Sequence, residues 1–544
     1  MSYQIAQFAD DLLHSFGLFA LALAVGGLVW VLFSLQTETA FSAARQAALA
    51  SSLDLAIMGA WGLALTQFLQ LWAKTQALAD ILKISPFPDF LDTQVFQIGL
   101  MRALLAAALA LGLMWLRRKP ERTGRWAGAV ALAAALMICG AWLVHGASRM
   151  EDRMPLMFLT AMHQLGAIVW VGGVIHLGSL WRLGRRQAEV ARLWPSLLVR
   201  FTPLGLAAVL ILLLTGIPLG LWYVDTWQGL IGTAYGSMLA SKWVLMAAAL
   251  GLAGLNFAAA RRWRRDAGAG GLDGIGKAIP FYVESEGTLL FSALFVAASL
   301  AALPPSVDLP DQQATAVEVI EAFAPKIPRM ISPTIEEVRQ AEADSGVVAR
   351  TESGAEEYWS DYNHNMAGII LLSIGLLAIA DRTGKFPLGR HWPLGFLVLA
   401  VFVLIRADNE VWPYGDLSFL EGMQEVTTLQ HKLAFLVTAG LGVMEWRARN
   451  TPNPQPWLPY VFPALCITGG IVLLTHSHAS FEFKTEYLIE VSHTAMGVLA
   501  LLMGVGRWLE LRLDSPAGRL AGHGSVLSVV LIALILIFYL EPPA

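Results

Sequence analysis

Apolar positions in this chain fall in long unbroken runs, not in the alternation of a half-buried strand or the one-sided stripe of a surface helix. A bilayer crossing needs about 20 such residues. Fourteen runs qualify: 11–35, 51–73, 95–116, 124–145, 156–181, 199–223, 235–260 and 282–303, then 364–381, 392–407, 430–447, 458–476, 487–509 and 524–541. Between the two groups lies a polar stretch, 305–362, with 12 acidic residues, four Lys or Arg and five prolines. It reads as an acidic linker, with a short amphipathic helix around 334–344 as the lesser alternative. The pattern predicts an all-α polytopic membrane bundle of about 14 transmembrane helices in two modules. The first, 1–304, has eight spans. An acidic extracytoplasmic linker, 305–362, joins it to a six-span module, 363–544.

Composition agrees: 56% of residues are apolar and 14% charged, where a soluble domain carries about a quarter charged. Mean hydropathy is +0.58. No basic domain is present, which argues against nucleic-acid binding. Cys139 and Cys466 lie in separate apolar runs and form neither a disulfide framework nor a CxxC site. Asp10 and Asp11 precede the first apolar run, where a cleaved signal peptide would carry Lys or Arg.

The distribution of charge sets an orientation. Arg117, Arg118, Lys119, Arg122 and Arg125 fall between spans three and four, and Arg182, Arg185, Arg186 and Arg192 follow span five. Arg261, Arg262, Arg264, Arg265 and Lys277 join spans seven and eight, and Arg382, Lys385, Arg390, Arg447, Arg449, Arg507, Arg512 and Arg519 continue the series. The opposite side carries Asp225, Asp408, Glu410, Asp416, Glu421 and Glu425. The positive-inside rule then places the basic loops in the cytoplasm and both termini outside.

In that frame eight of the 11 histidines gather at the outer surface: His14, His145, His163, His364, His431, His476, His478 and His493. His176, His391 and His523 fall on the cytoplasmic half. Helices alternate in direction, so a shared depth across both modules points to a shared chemistry. Imidazole is the commonest metal ligand, and ionisable groups in spans are functional candidates. Met150, Met154, Met157 and Met162 lie between His145 and His163. Thioether with imidazole suits Cu(I), and imidazole also suits Cu(II). Met154 is the thioether taken as a candidate ligand, although Met equally fills gaps between packed helices. Arg102, Lys242, Glu284, Glu286 and Glu490 are further intramembrane charges. Glu286 reads either as a second cation station or as a partner for Lys277. Glu490 shares a helix face with His493 and could orient it. Thr215-Gly216-Ile217-Pro218 is expected to kink or break span six.

These residues resemble a known family. Val144-His145-Gly146-Ala147, followed by His163-Gln164-Leu165-Gly166-Ala167-Ile168-Val169-Trp170-Val171-Gly172-Gly173, is similar to the CopD/PcoD copper-resistance inner-membrane proteins, although Val144 stands where their pattern has glycine. Arg200-Phe201-Thr202, Thr215-Gly216, Tyr235-Gly236, Lys242, Asn256, Glu284 or Glu286 and Pro304-Pro305 extend the likeness over about residues 10–305. The six-span module resembles an extension on longer members, through Tyr362-Asn363-His364, Asp408-Asn409-Glu410-Val411-Trp412-Pro413, Gln430-His431, Thr475-His476-Ser477-His478 and Ser492-His493-Thr494. The resemblance implies copper uptake across a bacterial inner membrane, with a small periplasmic copper carrier of the CopC type as partner.

The expected function is therefore copper transport. His14, His145, His163 and Met154 would capture the ion, and His364, His431, His476, His478 and His493 would form a separate outer-face site. No GxxxxGK[ST] loop occurs, and no residue pattern points to hydrolytic or covalent catalysis. Two alternatives stand beside it: a copper sensor or assembly factor without net transport, and a haem b electron-transfer cytochrome ligated by paired histidines.

Overall fold

A computed structural model of the protein describes residues 2–36, 42–144, 146, 149–266, 271–344, 354–475 and 483–541. Fourteen long helices follow the fourteen apolar runs. In chain order they are α1 (Tyr3–Leu35), α2 (Ser42–Leu82), α3 (Gln94–Arg118), α4 (Thr123–Gly140), α5 (Arg153–Gly184), α6 (Ala188–Tyr223), α7 (Ala234–Arg265) and α8 (Ile279–Ala302). Then come α9 (Gly354–Arg382), α10 (Gly395–Arg406), α11 (Val426–Asn450), α12 (Val461–Leu474), α13 (Phe483–Arg512) and α14 (Pro516–Ile537). Among the described residues twelve spans are long and apolar enough to cross a bilayer; the Leu458–Leu474 segment is apolar but shorter. Helix α11 is long enough, but Gln430, His431, Lys432 and Glu445 make it more polar. The protein is an all-α, multi-pass membrane protein.

Two compact units divide the chain. One comprises Met1–Asp225 with Leu245–Ala302, the other Thr226–Val244 with Leu303–Ala544.

In the first unit α1 is the central element. Its start packs edge-on against α8 through Phe16–Phe295 and Phe19–Phe291, with ring centroids 5.2 and 4.9 Å apart. Further along, α1 widens into two π turns, Ala22–Gly26 and Val31–Leu35, which loosen the hydrogen-bond ladder. There α5 crosses so closely that a Cβ on Gly26 would overlap the Ile168 carbonyl, and one on Gly172 the Ala22 carbonyl. In lipid, helices associate by such close backbone packing and not by a hydrophobic drive. Leu23 O, within the first π turn, accepts from His176 Nε2 at 3.1 Å.

Helix α6 runs from Ala188 to Tyr223 straight through Pro195, Pro203 and Pro218. The break expected at Thr215–Pro218 is absent. The preceding turn is reinforced instead: Thr215 Oγ1 donates back to Ile211 O at 2.6 Å, a local bond that tolerates proline in a membrane helix.

The second unit has a core of Ile374, Trp392, Phe396, Leu441, Phe462, Cys466, Met503 and Ala533. A chain of ion pairs closes one end of it. Asp381 binds Arg449 (2.8 Å), which binds Glu445 (2.7 Å); Arg507 bridges Glu445 (2.9 Å) and Glu510 (2.7 Å); and Glu510 returns to Arg382 (2.8 Å). Helices α9, α11 and α13 are thereby tied together, and Arg382 also donates to Gly522 O of α14. Arginines that serve as topology markers in the sequence are here the counter-ions of the buried Glu445.

Within residues 305–362, Ala316–Phe323 is helical and opens on a Thr315–Glu318 capping box, and Ile335–Asp344 is a second helix. Helix α9 already starts at Gly354. The Lys484 ammonium, bonded to Glu318 at 2.7 Å, holds the Glu318 carboxyl down at about 2, helped by the Thr315 backbone N–H. A carboxyl whose folded value lies below its unfolded one stabilises the fold above the unfolded value and loses that effect as pH falls. This tie therefore persists at neutral pH and disappears as pH drops from about 4.5 through about 2.

Replacing Gly172 by Ala should cost about 2 kcal/mol through overpacking, read as a lower unfolding midpoint in detergent. Gly128→Ala, which meets nothing within 4 Å, should be neutral or up to ~1 kcal/mol stabilising.

Candidate metal-binding histidines

Four of the eight expected histidines share one hydrogen-bonding arrangement. On α5, His163 Nδ1 lies 3.0 Å from Thr215 Oγ1 of α6. The Thr215 hydroxyl proton is already given to Ile211 O, so Thr215 Oγ1 accepts and His163 Nδ1 carries the hydrogen. The lone pair of the neutral ring then sits on Nε2. Gly216 makes room for the ring, since a Cβ there would come to 3.0 Å from His163 Cε1.

The second unit repeats this logic three times. His364 Nδ1 donates to Ser360 O one turn earlier on α9, at 2.9 Å. His493 Nδ1 donates to Ile489 O on α13, at 3.2 Å. His431 Nδ1 donates to the Asp408 carboxylate at 2.7 Å. Each ring therefore directs a basic Nε2 away from a fixed Nδ1–H anchor, the arrangement that metal-ligating histidines use almost without exception. His176 is the contrast. Its Nε2 is engaged by Leu23 O and its buried Nδ1 has no partner among the described residues.

His364 and His493 meet edge to face with ring centroids 5.5 Å apart, and Tyr539 lies over His364 at 4.1 Å. Asp408 also binds the buried Lys432 at 2.6 Å. Burial works against ionisation of Asp408, but His431 and Lys432 together hold its carboxyl below the usual carboxylate range.

The remaining expected residues are placed as follows. His14 is half-buried near the start of α1, and Met154 is 72% exposed in the first turn of α5 while Met157 is buried. His145, His476 and His478 lie outside the described residues. Among the described residues no three His, Cys, Asp or Glu side chains stand together in a way that could hold a metal ion. Glu286 is bonded to Trp170 and Asn256, and Lys277 pairs with Asp273 at 3.8 Å. Sequence reasoning missed Tyr539, which follows the last span, and the Asp408–Lys432 pair, whose members no motif connects.

Asp408→Asn should leave Lys432 buried without a counter-charge and cost about 3 kcal/mol, measured by denaturant unfolding in detergent. Adding Lys432→Met should restore most of the loss.

Comparison with known proteins adds a family. Residues 195–300 match the family described as Copper resistance protein D. The matched stretch contains the Thr215–Gly216 pair that seats His163. The copper transport protein CutJ of Bacillus subtilis (strain 168) is 30% identical over 216 residues, which is 38% of this chain and 39% of CutJ. The chain thus spans about two fifths of the curated relative it matches. No solved structure matches. Residues 195–300 are thus the part of this membrane protein that is similar to the copper resistance protein D family.

Proposed function

We propose that this protein handles copper at a bacterial inner membrane and moves it from the periplasm to the cytoplasm. The observation that carries the reading is the 3.0 Å contact between His163 Nδ1 and Thr215 Oγ1. Thr215, inside the stretch that matches the copper-resistance family, takes the Nδ1 hydrogen and leaves Nε2 as a ligand. A neutral imidazole Nε2 suits both oxidation states of copper. In this reading His163, with His145, His14 and Met154 contributed by the same unit, receives the ion as cargo. His364, His493 and His431 form a second receiving point in the other unit, with His476 and His478 on the segment between α12 and α13. Charge distribution supports periplasmic termini and an entry from the histidine side, and a small carrier of the CopC type would deliver the ion there. Copper transport named for CutJ supports transport over sensing.

The test is copper accumulation by cells expressing the protein. His163→Ala should lower accumulation at least several-fold with protein amount unchanged, and Gly216→Leu, which crowds the ring, should do the same. Unchanged accumulation in a normally expressed His163→Ala protein would overturn the assignment. A Soret band in purified protein that also lacks copper would replace it with the haem reading.

A further inference from the structure

Buried in the first unit lies a carboxylate that makes no ion pair among the described residues. Glu286 of α8 is 3% exposed. Its Oε1 accepts from Trp170 Nε1 of α5 at 2.7 Å, and its Oε2 accepts from Asn256 Nδ2 of α7 at 2.7 Å. The charged groups on the surrounding helices are engaged elsewhere or distant. Glu284, two residues earlier, pairs with Arg182 of α5 at 3.4 Å. His176 of α5 faces the Leu23 carbonyl. Arg261, Arg262, Arg264 and Arg265 lie exposed at the end of α7, and Asp10, Asp11 and His14 sit near the start of α1. Lys242 lies about four turns before Asn256 on α7, and among the described residues Glu286 forms no ion pair.

A buried carboxylate without a counter-ion either binds a cation or exchanges a proton. A metal ion needs several oxygen ligands, and here two N–H groups point at the carboxylate, which disfavours one. A proton fits, and Asn256 shows how. The amide is buried at 4% exposure, and its Oδ1 has no hydrogen-bond partner among the described residues. Its two ends are nearly the same size, so a half-turn exchanges them at little steric cost. With Glu286 ionised, Nδ2 donates to Oε2. With Glu286 protonated on Oε2, the turned amide presents Oδ1 to accept that hydrogen. One pair of side chains therefore satisfies both protonation states without a charged partner.

We propose that Glu286 is a proton-exchange site of the first unit, with Asn256 as its amide switch and Trp170 as its fixed donor. The inference goes beyond copper binding and does not depend on it. Its one link is that, if the protein transports copper, the proton becomes the coupling ion.

Infrared difference spectroscopy of the copper-free, full-length protein in lipid, titrated with pH, tests this. The carbonyl band of a protonated carboxylic acid should appear as pH falls and be missing in Glu286→Gln. Trp170→Phe removes one hydrogen bond to the charged form, so proton affinity should rise about tenfold, one pH unit in midpoint. Asn256→Leu should shift the band itself. Trp170→Phe and Asn256→Leu keep the test open if Glu286→Gln does not fold. A band that neither appears nor disappears with pH, or one that none of the three substitutions alters, would overturn the proposal. Because copper is absent throughout, failure here leaves the copper reading untouched, and failure of copper uptake leaves this result untouched.

Discussion

Within a bilayer a hydrogen-bond donor has no water to turn to, so every N–H must find its acceptor inside the protein. That constraint decides what the histidines of this chain can do. A neutral imidazole carries one hydrogen, and the nitrogen that holds it is set by whichever acceptor lies within reach. For His364 and His493 the acceptor is the carbonyl one turn earlier on the same helix. For His431 it is the Asp408 carboxylate, and for His163 a threonine whose own hydrogen is already committed. In all four the result is the same: Nδ1 is tied down and Nε2 becomes the basic atom. The shared tautomer thus follows from satisfying each imidazole N–H with the carbonyl, carboxylate or hydroxyl oxygen in reach.

The scaffold holds those rings by two different means. In the first unit close contact at small residues brings α1 and α5 together, and the π turns in α1 open carbonyls such as Leu23 O to neighbours. In the second unit the ion-pair chain from Asp381 to Arg382 fastens one end of the bundle. Glu445 within that chain is buried and Arg507 half-buried, so removing the arginine would strand the carboxylate. The Asp408–Lys432–His431 group joins α11 to the segment just after α10. Rigid ends of this kind keep imidazoles in fixed positions, which a binding site requires.

Most of the fold was legible in the sequence because spanning helices announce themselves by length and apolarity. Even the more polar α11 stood out, since its Gln430, His431 and Lys432 begin an otherwise apolar run. The site was legible only as a set of candidates. His364 and His493 could be placed at one depth, but their contact, and Tyr539 lying over His364, depend on helix rotation that periodicity does not fix. Pro218 predicted a break, yet the helix runs on through it to Tyr223. Lys277 looked like the partner of Glu286 because both lie near the same end in sequence. In the structure a tryptophan and an asparagine from two other helices supply the hydrogen bonds instead, and neutral partners leave no signature in charge patterning.

Nitrogen-15 NMR of the imidazole side chains, recorded on protein labelled at histidine with and without Cu(I), tests the central claim most directly. The account expects His163, His364, His431 and His493 all to carry hydrogen on Nδ1 before metal is added, and copper to shift their Nε2 signals alone. Hydrogen on Nε2 in these rings, or Nε2 signals that copper leaves unmoved, would contradict it.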